Sequence, residues 1–97
     1  MNIRFVGIDG LGGHEVMRLF STLTNDFDFI KEVEIRQFHN SWSDGLDIYD
    51  VTIEIKPDRD DVYIFIYDNS IYIVDYIFKQ QASIYIDRSA YERLEII

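Results

Sequence analysis

Two runs of β-branched and aromatic residues, Val62–Tyr67 and Ile71–Phe78, stand on either side of Asp68-Asn69. Nothing else in the chain restricts its fold as strongly. Both runs are apolar on both faces, and aspartate and asparagine tolerate the positive φ that a two-residue hairpin loop requires. With Asp68 and Asn69 as that loop, Tyr67 pairs with Ser70, Phe65 with Tyr72 and Tyr63 with Val74. Because side chains alternate along a strand, this register sorts them by chemistry. Tyr63, Phe65, Tyr67, Tyr72, Val74, Tyr76 and Phe78 fall on one face. Val62, Ile64, Ile66, Ile71, Ile73 and Ile77 fall on the other, with Asp75 among them. A three-residue loop would scramble this separation.

The rest of the chain reads around that hairpin. Ile3–Ile8 is a first strand, closed by Asp9-Gly10 and a turn containing Gly12 and Gly13. From His14 to Leu23 the period becomes helical: Val16, Leu19, Phe20 and Leu23 share one face, and Thr24-Asn25-Asp26 is the stop signal. A second strand runs from about Glu32 to Phe38, followed by the polar loop His39–Gly45. Ile48–Lys56 alternates cleanly, with Tyr49, Val51, Ile53 and Ile55 facing one way and Asp50, Thr52, Glu54 and Lys56 the other. Pro57–Asp61 is a turn, since proline cannot donate to a central ladder. Ser83–Asp87 is a last short strand, and Ser89–Leu94 closes the chain with a helical turn. The expected fold is therefore α+β: an antiparallel meander of five to six strands in the order β-α-β-β-β-β-β. One main helix packs on the aliphatic face.

With 97 residues and 47% hydrophobic content, residues 1–97 fit a single domain with one core. A chain of this size buries roughly 60–65% of its unfolded surface, leaving little to wall a deep cleft. The absence of cysteine excludes a disulfide framework and thiolate metal sites. The apolar run after Met1 ends too early, at Asp9, for a signal peptide, and no apolar stretch reaches the length of a membrane span. The expected location is the cytoplasm, with no membrane partner. Eighteen acidic residues against nine basic ones give a net charge of −9. Such a surface repels nucleic-acid phosphates, which argues against direct nucleic-acid binding, and attracts basic partners.

Against that background, several segments are candidate sites. Gly10–Gly13 lies between a strand and a helix, the context of a dinucleotide-binding turn. However, Glu15 stands where the third glycine of that fingerprint belongs, and the alternating strands and helices of a doubly wound sheet are missing. A tight strand-to-helix connection explains the glycines equally well. His14 and His39 lack the neighbouring ligands that a zinc site requires, and no serine or cysteine sits in a nucleophile context. The expectation is no catalytic residue, no metal and no cofactor. Aspartate outnumbers glutamate twelve to six. Asp44, Asp47 and Asp50 surround the entry to the third strand, and Asp58, Asp60 and Asp61 fill the next turn. Asp58–Asp61 contains an arginine and lacks the glycine and terminal glutamate of a calcium loop. It reads either as a solvated turn or as a phosphate-mimicking patch. Trp42, in its polar loop, is either core or an interface anchor ringed by polar groups. The tyrosines Tyr63, Tyr67 and Tyr72 combine an apolar body with a polar tip, which suits an interface. The terminal segment, a second copy in a homodimer, or a target are the candidate covers for that face.

In size, acidity, lack of cysteine and lack of a catalytic motif, the chain resembles the small immunity proteins of contact-dependent inhibition and related bacterial toxin systems. The resemblance is one of profile over the whole chain and rests on no diagnostic motif. It implies a non-enzymatic inhibitor that neutralises a co-encoded basic toxin, a nuclease by preference because nucleases need basic sites to hold phosphates. A phage-encoded inhibitor of a host defence nuclease, of the anti-CRISPR kind, fits the same physics. A small nucleotide-binding domain using Gly10–Gly13 is the reading from a different class.

Overall fold

The first strand, β1 (Asn2–Ile8), does not lie at the sheet edge where chain order would put it. In the computed structural model, which describes residues 1–8, 18–39 and 46–97 (without the side chains at 8, 38, 39, 46 and 47), β1 is interior. One edge pairs with β3 (Leu46–Ile55) and the other with β7 (Tyr91–Ile96), both antiparallel. With β2 (Ile30–His39) on the far side of β3, this four-stranded sheet has the order β2-β3-β1-β7. The three remaining strands, β4 (Val62–Tyr67), β5 (Ser70–Asp75) and β6 (Gln80–Tyr85), form a separate antiparallel sheet in chain order. The coarse expectation of antiparallel strands with a helix holds. The expected single meander of five to six strands does not, because the seven described strands divide into two sheets.

Pro57 marks where the chain leaves one sheet for the other. The amide of Lys56 still bonds the Phe29 carbonyl at 3.0 Å, and Arg59 N returns to Lys56 O at 3.0 Å. Without an N–H at Pro57 the ladder cannot continue. The two apolar faces then share one core. Ile3, Phe5, Tyr49, Val51 and Ile53 come from the larger sheet; Ile71, Ile73, Ala82 and Ile84 come from the smaller.

The hairpin follows its sequence signal. Asp68 and Asn69 have φ of 50° and 63°, and Tyr67 pairs with Ser70, Phe65 with Tyr72 and Tyr63 with Val74. Ile71 and Ile73 are fully buried on one face, and Tyr63, Phe65 and Tyr67 are exposed on the other. The strand is shorter than expected, however. It ends at Asp75, and residues 76–79 form a turn, with Lys79 at φ 55°. The cause is the Asp75 side chain, which accepts from the amides of Ile77 and Phe78, both at 3.2 Å. That local capping competes with the ladder.

Residues 18–21 are helical and are followed by α1 (Leu23–Asp26), a single turn. The helix therefore runs through the expected stop at Thr24–Asp26 and ends at Phe27, which is extended. Phe20 and Leu23 enter the common core, and Leu19 packs against it. Val16 and Gly10–Gly13 lie outside the described residues.

The C-terminal segment departs most from expectation. Helical structure is confined to a 3-10 turn at Arg88–Ala90, where Asp87 accepts from Ser89 N at 2.9 Å. Tyr91–Ile96 is a strand because the free edge of β1 offers it a ladder. Its register shifts between Val6 and Gly7, where Val6 pairs with Arg93 but Gly7 with Tyr91. This bulge leaves Glu92 unmatched and places Tyr91 and Leu94, three residues apart, on the same side. A spacing of three resembles a helix in the sequence, which hides the strand.

Candidate functional site

The outer faces of the two sheets differ in chemistry. On the larger sheet, one row of paired residues crosses all four strands as Arg36, Asp50, Arg4 and Glu95. Charges alternate along it, which favours this register. Arg4 grips Asp50 with two bonds, Nε to Oδ1 at 2.8 Å and Nη2 to Oδ2 at 3.0 Å. That hydrogen bond, opposed by desolvation and helped by the Arg4 and Arg36 charges, holds the Asp50 carboxyl below the usual carboxylate range. Asp50, a sequence candidate for partner contact, is thus engaged within its own sheet. Lys31 and Glu54 add a weaker exposed pair at 3.4 Å.

The outer face of the β4–β5–β6 sheet carries rings instead of charges. Its three cross-strand rows are Tyr63-Val74-Gln81, Phe65-Tyr72-Ser83 and Tyr67-Ser70-Tyr85. Tyr63 and Tyr76 meet edge to face with centroids 5.4 Å apart. Phe65 and Tyr72 stack at 5.1 Å and 19°. Tyr67 and Tyr85 have no ring partner among the described residues, and they are the most exposed rings of the sheet, at 71% and 61%. Tyr76, Ile77 and Phe78 extend the apolar surface onto the following turn, each more than half exposed. Monomeric proteins seldom leave so continuous an aromatic surface uncovered. No part of the described chain covers it; the terminal segment, one candidate, is committed to β1.

Acidic residues stand at both ends of β4. Asp58 and Asp60 are exposed in the preceding turn, and Asp61 is half-buried beside Tyr63. Asp61 accepts from the Tyr63 hydroxyl and, with its charge, pushes that phenol above its usual pKa. Asp68 is exposed at the hairpin tip. Arg59, which breaks the acidic run in the sequence, turns inward. Its guanidinium bonds Asp75 at 2.9 Å and Asp28 at 3.3 Å, and it lies 3.8 Å from the centroid of the Phe78 ring. Removing this cation from the turn leaves the exposed part of Asp58–Asp61 uniformly negative.

Among the sequence candidates, the fold brings Asp58, Asp60, Asp61, Tyr63, Tyr67 and Tyr72 together around one sheet, with Tyr72 half-buried under its stack. Asp47 lies in β3, paired with Gly7 and His39, away from that sheet. Trp42, Asp44 and His14 lie outside the described residues. Tyr85 was missed as a member of the face. Its register depends on the 76–79 turn, whose defining contact is the Asp75 side chain and not a turn-forming dipeptide. Among the described residues, no group of three or more histidines or carboxylates is placed to hold a metal ion, and no helix is long and apolar enough to cross a membrane. No protein family, curated protein or solved structure matches this chain.

Proposed function

We propose that the chain is an inhibitor acting in the cytoplasm, which binds and neutralises a basic protein toxin, a nuclease in the first instance, by covering its phosphate-binding surface. The observation that carries this reading is the uncovered aromatic face of the β4–β5–β6 sheet, flanked by Asp58, Asp60, Asp61 and Asp68 on a chain of net charge −9. Rigid aromatic side chains at the centre and charge at the rim is the composition of protein-binding surfaces that associate fast and dissociate slowly. The larger sheet supports the same choice of face by contrast, since Arg36, Asp50, Arg4 and Glu95 alternate in sign across its outer face. The mechanism is occlusion: carboxylates occupy the positions of substrate phosphates, and rings exclude water from the contact.

The test is co-expression with the product of the adjacent gene. The expected result is a stable complex and loss of that product's toxicity and nuclease activity. Both should be restored by replacing Phe65 and Tyr67 with alanine. A neighbour that is not basic, or whose activity is unaffected by a stoichiometric excess of the chain, overturns the reading.

A further inference from the structure

The aromatic face is not uniform, and one part of it is built differently. Tyr63 and Phe65 each have a ring partner within the molecule, at 5.4 and 5.1 Å. Tyr67 and Tyr85 have none among the described residues. They occupy the two outer strands of one cross-strand row, with Ser70 between them on β5. Two strand spacings separate their backbones by roughly 10 Å. The residue between them is small and almost fully buried, at 8% exposure. Two exposed rings thus flank one small residue that is itself covered, so a flat guest enters by displacing what lies over Ser70 and not through an open gap.

We propose that Tyr67 and Tyr85 form a two-walled slot that takes one arginine side chain of the partner. The inference rests on the basic partner proposed above and names the side chain that this surface recognises. A guanidinium is planar, weakly hydrated and able to stack on a ring at each face, which an ammonium does less well. The chain uses the same contact internally, with Arg59 over Phe78 at 3.8 Å and Arg88 over Tyr91 at 4.6 Å. Charge is complementary as well. Asp68 follows Tyr67 directly and is exposed, and exposed Asp87 follows Tyr85 by two residues. The nearby cation, Arg88, is turned onto the carbonyls of Tyr91 and Glu92 and so does not occupy the slot.

The test titrates the full chain with a blocked Gly-Arg-Gly peptide and follows the tyrosine ring resonances by NMR. A peptide with citrulline in place of arginine serves as the neutral control. Saturable shifts confined to Tyr67 and Tyr85 are expected, with the citrulline peptide weaker by about threefold or more. Tyr67→Ala and Tyr85→Ala should each abolish the response, and Tyr67→Phe and Tyr85→Phe should retain it. Equal response to both peptides, shifts centred elsewhere, or no saturable shift up to about 20 mM peptide would each overturn the slot. If the Tyr67→Ala/Tyr85→Ala double variant still neutralises a basic partner, the slot is wrong and the inhibitor reading survives. If no basic partner exists but the peptide responses hold, the reverse is true.

Discussion

The guanidinium of Arg59 bonds the carboxylate of Asp75 at 2.9 Å, tying the turn that leaves the larger sheet to the last residue of β5. The two side chains are 12% and 1% exposed. Asp75 lies among isoleucines because three donors meet it there: Arg59 and the amides of Ile77 and Phe78. Arg59 is the less complete partner, since its buried Nε has no acceptor among the described residues.

Removing one member leaves the other buried with an incomplete set of partners, Asp28 alone for Arg59 or the two amides alone for Asp75, a costly way to break an ion pair. Asp75→Asn should lower the melting temperature by about 10 °C or more. The double variant Arg59→Met/Asp75→Asn should lose less than the sum of the single changes, because neither charge is then stranded. Thermal melts of the three variants decide this, and strict additivity would show that the pair is not coupled.

Acid should act through the same group. Burial pushes the Asp75 carboxyl up, but the Phe78 amide, Arg59 and the Ile77 amide together outweigh it, and its pKa is lowered. Asp50 and Asp87 are lowered as well, by Arg4 and by Ser89 respectively. A carboxyl whose folded pKa lies below its unfolded value contributes stability fully above about pH 4, and this is lost as pH falls through the folded value. The urea midpoint should therefore fall on acidification below about pH 4, and Asp75→Asn should flatten that fall.

Gly7→Ala should destabilise the fold by about 2 kcal/mol. A Cβ there would lie 2.7 Å from Cε1 of Phe5. That ring is fully buried and held between Tyr49 and Tyr91, with centroids at 5.9 and 6.0 Å, so it cannot swing away. Urea unfolding measures the cost, and a change under about 0.5 kcal/mol would mean the ring yields freely.

Tyr67→Ala and Tyr72→Ala should part company. Tyr67 is 71% exposed, so its loss should leave stability within about 0.5 kcal/mol. Tyr72 is half-buried and stacked on Phe65, so its loss should cost about 1 kcal/mol even without a partner. Equal melting behaviour of the two variants would contradict the observed stack.

Neutralising Asp58, Asp60 and Asp61 together as asparagines should slow association with the basic partner by about tenfold at low salt, leaving dissociation less changed. Stopped-flow rates over a salt series test this. An unchanged association rate would reduce these carboxylates to a solvated turn.

The sequence by itself determined what short range decides. Asp68-Asn69 carries the positive φ of its turn locally, so the hairpin register and its division into aromatic and aliphatic faces were legible. The alternation of Tyr49, Val51, Ile53 and Ile55 in β3 was legible for the same reason, since period two reports burial of one face. Three features depended on partners distant in the chain. β1 lies between β3 and β7 because a ladder forms wherever an edge is free, and sequence distance does not enter. β7 was hidden by its bulge, which gives a strand the spacing of a helix. Arg59, read as one charge within an acidic turn, turns inward only because Asp75 and Asp28 come within its reach once both sheets close on a common core. Period and turn chemistry are written residue by residue. The choice of partner is an energy comparison among edges and charges that only the folded chain brings together.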